Sequence, residues 1–214
     1  MSATTEHGST DADVADEVIP LRRSTIDKVL IGFGAITTVV LLAAGGLLMW
    51  GANFSDDYVH RELASQNVFF PDRASLEAEG RDDLVEFAGE QVTTGQQAEA
   101  YAMYIEGHLA GIADGKTYSE IDDRGAVEAV TEAREAGADE AEIAELQATA
   151  DQLTAQRDTL FKGETLRGLL LSSYAWATIG TIASIAAWVA LIGAALMAGL
   201  TIAGVVHLRR VTTA

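Results

Sequence analysis

The side chains best suited to chemistry are four histidines, His7, His60, His108 and His207, and a dense set of carboxylates. His60, His108 and the nearby Glu106 could supply two imidazoles and a carboxylate, the donor set of a non-haem iron site. No HExxH or His-x-Asp pattern accompanies them, so nothing in their spacing puts two ligands on one helix face. The expectation is therefore solvated or half-buried imidazoles with no metal and no cofactor. Acid doublets at Asp56-Asp57, Asp82-Asp83 and Asp122-Asp123 raise calcium as a ligand. The stretch Asp114-Gly115-Lys116 nevertheless lacks the alternating acids of an EF-hand loop, and solvated faces are the expected role. There is no cysteine, which removes disulfides and thiolate metal sites. Nucleophile-elbow, phosphate-loop and dinucleotide fingerprints are also missing. No catalytic residue is assigned.

These residues are distributed very unevenly. The chain of 214 residues has a net charge of -18. Residues 53–165 hold 26 acids against 8 bases and account for that charge by themselves, residues 1–52 and 166–214 being -3 and +3. An acidic surface of this density repels nucleic acid and attracts cations or basic partners. Nucleic acid is not expected among the partners.

Flanking the acidic middle are two apolar runs. Residues 29–50 carry no charge, and residues 168–208 contain no acid, lysine or arginine. About 20 apolar residues in a helix cross a hydrocarbon layer about 30 Å thick, so each run is long enough. The first is too long for a signal peptide, and Trp50 stands where a small residue should precede a cleavage. The reading is a transmembrane helix over 29–52 and a second over 178–206, with the lipid bilayer as first partner. Trp50, Tyr174 and Trp176 would form the aromatic belt at the outer interface, with residues 167–177 lying along that interface. Arg22, Arg23 and Lys28 precede the first span and Arg209 and Arg210 follow the second. The positive-inside rule then places both termini in the cytoplasm and the acidic segment outside. Residues 1–20 are small, polar and acidic, the composition of a disordered cytoplasmic tail. Residues 207–214 form a short cytoplasmic tail.

The acidic segment reads as a helical domain. Residues 56–64 should continue the first span outward until 66–71, with Val68, Phe69 and Phe70 before Pro71, breaks it and buries an aromatic pair. A helix over 96–113 shows one apolar face, and Asp114-Gly115 should stop it. A shorter helix fits 124–136 before Gly137, and Asp139 with Glu142 resembles a capped start. Leu146, Leu153 and Leu160 recur every seven residues. This stripe suits either a coiled seam or packing against the 96–113 helix. Beyond it there is no proline, and Gly163 and Gly168 are isolated, so one helix is expected to run from the loop into the second span. In that span Ala195, Gly199 and Ala203 are spaced as small-xxx-small pairs, a pattern that lets helices approach closely. The two spans packing on each other is the expectation, with a homo-oligomer as the other use of the motif.

Several local stretches carry a resemblance. They are Ser65-Gln66-Asn67-Val68-Phe69-Phe70-Pro71, Ala98-Glu99-Ala100-Tyr101, His108-Leu109, Gly115-Lys116-Thr117-Tyr118-Ser119-Glu120 and Lys162-Gly163-Glu164-Thr165-Leu166-Arg167-Gly168. Over roughly residues 25–208 the chain resembles an uncharacterised two-span membrane protein family of high-GC Gram-positive bacteria. Some of its members bear the label of aromatic ring-opening dioxygenase. That label would imply a buried iron triad in a substrate pocket, which a mostly polar helical loop is poorly built to host.

The fold expected is all-α: two transmembrane helices flanking an acidic extracytoplasmic helical domain, the second span continuous with a long loop helix. The function expected is a non-enzymatic accessory, scaffold or sensing protein of the cell envelope, meeting an envelope partner through its outer domain. The alternatives are a metal-dependent enzyme using His60 and His108, and a subunit of an oligomeric channel or transporter.

Overall fold

The structure is a computed structural model, and it describes residues 23–212. The tail expected over 1–20, Arg22 and the last two residues of the chain lie outside the described residues. The chain is all-α. Among the described residues the extended segments meet only in one antiparallel bridge, Phe69 with Gln91. Five helices follow in order: α1 (Arg23–Ser65), α2 (Arg73–Ala78), α3 (Gly95–Ala110), α4 (Asp123–Ala136) and α5 (Glu140–Thr212). Short 3-10 helices cover Asp82–Phe87, Ala113–Gly115 and Tyr118–Glu120. Two of the five, α1 and α5, are long and apolar enough to cross a membrane.

The long helices persist because nothing in them forces an end. α1 stops where Gln66 and Asn67 fold back, their N–H groups bonding the Leu63 and Ala64 carbonyls. Asn67 takes a φ of 54°, a left-handed conformation that asparagine tolerates better than most residues. α5 is unbroken, as its lack of proline leads one to expect. The stretch 167–177 continues α5, as the expectation of a single helix has it, and its Leu170 and Ala177 join a hydrophobic core.

Contacts of the described residues cluster into two compact units, one within 23–42 and 192–212 and one of 43–191. In the first, α1 and α5 pack through small residues: a Cβ on Gly34 would strike Thr201, and one on Gly204 would press on Ile31. Gly193 faces Leu41, and Ala194 is buried. In the second, Gly45 lies against Leu191 and the Ala187 carbonyl, and Gly180 against Ser55 and the Ala52 carbonyl.

The second unit also holds the acidic segment, built on two clusters. The larger joins Val59 and Leu63 of α1, Phe70, Leu76 of α2, Leu84, Val92, the alanines of α3 and Leu170 of α5. The smaller joins Leu109, Ile121 and Leu160, with Ile105, Ile112 and Leu153 packed on it. Leu153 and Leu160 thus meet the end of α3, the intramolecular alternative for that stripe. Lower on the same helix, α4 runs beside α5: Arg134 donates to Gln147 at 2.9 Å and Arg157 pairs with Asp123 at 3.1 Å. Gly137, left-handed at φ 74°, makes the turn between them, and the Asp139 carboxylate caps α5 by accepting from the Glu142 N–H at 2.8 Å.

Three expectations need correction. Of the aromatic pair before Pro71, Phe70 is buried but Phe69 is exposed. α3 ends at Ala110 rather than 113, because Ala113 and Asp114 are left-handed and cannot continue it. The doublet Asp122-Asp123 is also more than a solvated face, while Asp56 and Asp57 are exposed as expected. Asp122 caps α4 by accepting from the Gly125 N–H, while Asp123 holds Arg157.

Gly163 is no mere weak point in α5. A Cβ there would overlap the Leu109 side chain, whereas one on Gly168 meets nothing within 4 Å. Gly163→Leu should therefore lower stability by about 1–3 kcal/mol through overpacking. Gly168→Ala should raise it by up to ~1 kcal/mol through helix propensity. Thermal unfolding of the detergent-solubilised protein checks both, and equal effects would show that Gly163 has no packing role.

Candidate functional site

The most developed arrangement in the second unit is the seat of α3 on α5. It begins at the start of α3, where Thr94 and Gln97 form a capping box. The Gln97 side chain is buried. Its Oε1 accepts from the Thr93 and Thr94 N–H groups at 2.9 and 3.1 Å, and its Nε2 donates to Glu90 at 2.9 Å. That bonding fixes Gly95, the first residue of the helix, directly on Ala177 and the Tyr174 backbone, where no Cβ would fit. Further along, Glu106 meets Arg167 at 3.0 Å, and Leu109 fills the space left open by Gly163. Down α3 the contacts read 95, 106, 109, and up α5 they read 177, 167, 163. The two helices therefore run antiparallel and in step.

Arg167 is the polar fastener of this seat. Its two terminal nitrogens bond Glu106 and Glu164 at 3.0 and 3.2 Å, and its Nε is buried with no hydrogen-bond partner. A guanidinium suits this position because its fork can hold two carboxylates at once.

On the far side of α3, aromatic rings run in sequence from Phe87 through Phe70, Tyr101 and Tyr104 to His108, each 4.4–5.5 Å from the next. His108 Nδ1 lies 3.2 Å from the Tyr104 carbonyl and its Nε2 3.8 Å from the Glu79 carboxylate. Arg81 donates to the Met103 carbonyl at 3.2 Å and to Asp83 at 3.0 and 2.8 Å, with its guanidinium 6.0 Å from the Tyr104 ring centre. Burial raises the phenol pKa of both tyrosines, and for Tyr104 the neighbouring Glu79 adds to it.

The residues singled out from sequence do not converge. Among the described residues no three His, Asp or Glu side chains group as metal ligands. Glu106 is held by Arg167, His108 stacks on Tyr104, and His60 is exposed on α1. Comparison with family models, curated proteins and solved structures returns no match. Of the charges expected to set topology, Arg23 opens α1, Lys28 is exposed on it, and Arg209 and Arg210 lie in the last turn of α5. Trp50 and Trp176 are exposed, while Tyr174 is half-buried beneath Gly95. Ala195, Gly199 and Ala203 are exposed as well, and nothing lies within 4 Å of a Cβ built on Gly199. The glycines that seat α3, Gly95 and Gly163, have no small-xxx-small signature. Only their place opposite apolar positions of a facing helix could have revealed them.

The Arg81–Asp83 pair gives the acid stability of this face a direction. Hydrogen bonding from Arg81 holds the Asp83 carboxyl below its ordinary pKa. A depressed carboxylate stabilises the fold above its unfolded pKa, and that contribution disappears as pH falls through the lower folded value. Asp83→Asn should therefore flatten the dependence of the melting temperature on pH below the usual carboxylate range while leaving it intact at neutral pH. An unchanged acid limb would remove the pair from the account.

Proposed function

We propose that this chain is an integral membrane accessory or sensing protein of the cell envelope. Its two spans hold both termini in the cytoplasm, and its acidic domain works outside by meeting a partner rather than by catalysis. The observation that carries this reading is the double use of α5. Residues 160–177 of the helix complete the domain's core and seat α3, and the same helix continues as an apolar segment. Its apolar window is only 6% buried and that of α1 11%, unlike the core helix of a soluble domain. Any displacement of α3 against α5 would be felt along a helix without a joint. The density of carboxylates favours a basic or cationic surface on the partner.

Orientation is tested by single cysteines. One at Ala138 should react with a membrane-impermeant thiol reagent in whole cells, and one at Thr213 should not. Labelling at Thr213 would reverse the orientation or imply an odd number of crossings.

Coupling is tested by Leu166→Pro, which removes a helix hydrogen bond and clashes with the preceding turn, costing about 3 kcal/mol or more locally. Insertion should survive while the domain's motion is uncoupled from the span. In the wild type, slow amide exchange across 162–167 is the expected result, and fast exchange there would make the segment a linker.

A further inference from the structure

Above their close approach at Ser55, whose hydroxyl donates to the Trp176 carbonyl at 2.7 Å, α1 and α5 bound an open groove of about 320 Å³. Its apolar walls are Val59 and Leu63 on one side and Leu166, Leu169, Leu170 and Trp176 on the other. Leu169 is 64% exposed. On α1 at the same height Asp56, Asp57 and His60 are exposed, so this level lies outside a hydrocarbon layer. The groove is therefore apolar surface facing water unless something covers it.

A path leads to it. Trp50, Phe54 and Tyr58 stack in a ladder up α1 with ring centres 5.9 and 6.1 Å apart. A shallow notch lined by Phe54, Ser55, Tyr58 and Trp176 joins the ladder to the groove. The ladder starts at the last residue of the charge-free run 29–50, so apolar surface continues from the span to the groove without interruption. Beside Tyr58, which lines both notch and groove, the exposed Arg61 guanidinium lies 6.0 Å from the ring centre.

We propose that this groove takes the acyl chain of an outer-leaflet phospholipid, drawn up the aromatic ladder with its phosphate beside Arg61. The proposal rests on the membrane reading given above. Continuity with the span favours a lipid chain. A second copy would bring another segment of net charge -18 against the first. A basic peptide would find one carboxylate in the lining, Glu62, with Arg61 already 3.9 Å from it.

The test uses the full chain in phosphatidylcholine vesicles doped with a phosphatidylcholine that carries a diazirine at the end of one acyl chain. After irradiation, adducts are mapped by mass spectrometry. In an ordinary bilayer the chain end lies at mid-depth, so adducts within the spans report insertion alone. Adducts at 58–66 and 166–176 as well are the expected result. Ser173→Trp, which fills the groove, and Leu169→Glu, which puts a charge in it, should each cut those adducts about tenfold, the effect of losing a buried apolar contact. Span adducts should not change, which also shows that the variants fold and insert. Adducts confined to the spans would overturn the proposal and leave the membrane reading standing. Adducts in neither place would overturn both. A groove closed by a second copy would give no groove adducts and a dimer on chemical crosslinking that Ser173→Trp abolishes, which also overturns it.

Discussion

Because α5 contains no proline from Glu140 to Thr212, its backbone hydrogen bonds continue without a gap, and the rest of the acidic domain is built against a rod whose position is already set. The contacts that use this rod are of two kinds. Missing Cβ atoms at Gly95 and Gly163 allow α3 to approach it closely at both ends. The Arg167 fork between Glu106 and Glu164 then sets the register between those ends. Close approach gives dispersion contacts but little directional information, since apolar surfaces can slide. A guanidinium held by carboxylates from two helices cannot slide without losing bonds. Steric fit and charge thus divide the work of seating α3.

The same division explains how so acidic a segment folds at all. With 26 acids against 8 bases over 53–165, repulsion opposes compaction. Three of those eight bases, with Arg167 just beyond the segment, are placed at junctions between elements. Arg81 joins Asp83 to the α3 backbone, Arg157 joins α5 to the start of α4, Arg134 reaches Gln147, and Arg167 joins α5 to α3. Carboxylates are used at helix starts too: Asp72, Asp122 and Asp139 each accept a backbone N–H where the helix dipole favours negative charge. The remaining acids point to solvent, which keeps the outer surface strongly negative.

Legibility in the sequence followed the range of the interaction. The start of α4 after Asp122, the turn at Gly137 and the continuity of α5 are local, and the residue types announce them within a turn or two of chain. The Leu153 and Leu160 stripe announced that α5 has a packed face. It did not say that the face is shared between α3 and the loop carrying Ile121. The contacts that seat α3 join residues about 50 to 80 positions apart. Gly95 falls just before the helix expected over 96–113 and Gly163 reads as an isolated glycine, because a glycine placed for close approach differs from a tolerated one only by what lies opposite. Ala195, Gly199 and Ala203 show the reverse: a pattern complete within one helix, whose face points away from α1.

The length of the second apolar run has the same kind of explanation. Residues 168–208 would make a helix of about 60 Å, twice the hydrocarbon thickness, whereas the first run of 22 residues matches it. Were the whole run meant for lipid, the apolar run of α1 should be equally long, yet it ends at Trp50 while α1 itself continues to Ser65. The outer part of the run is instead apolar on behalf of the domain. Leu170 and Ala177 turn toward the larger core, and Leu166, Leu169 and Trp176 turn toward the groove against α1. A stretch that presents apolar side chains to a protein core on one flank and to a groove on another keeps one exposed flank, which here carries the uncharged Gly168, Leu171 and Ala175. In sequence it cannot be told from a membrane span, and what exceeds the length of one span is the part of α5 that belongs to the domain.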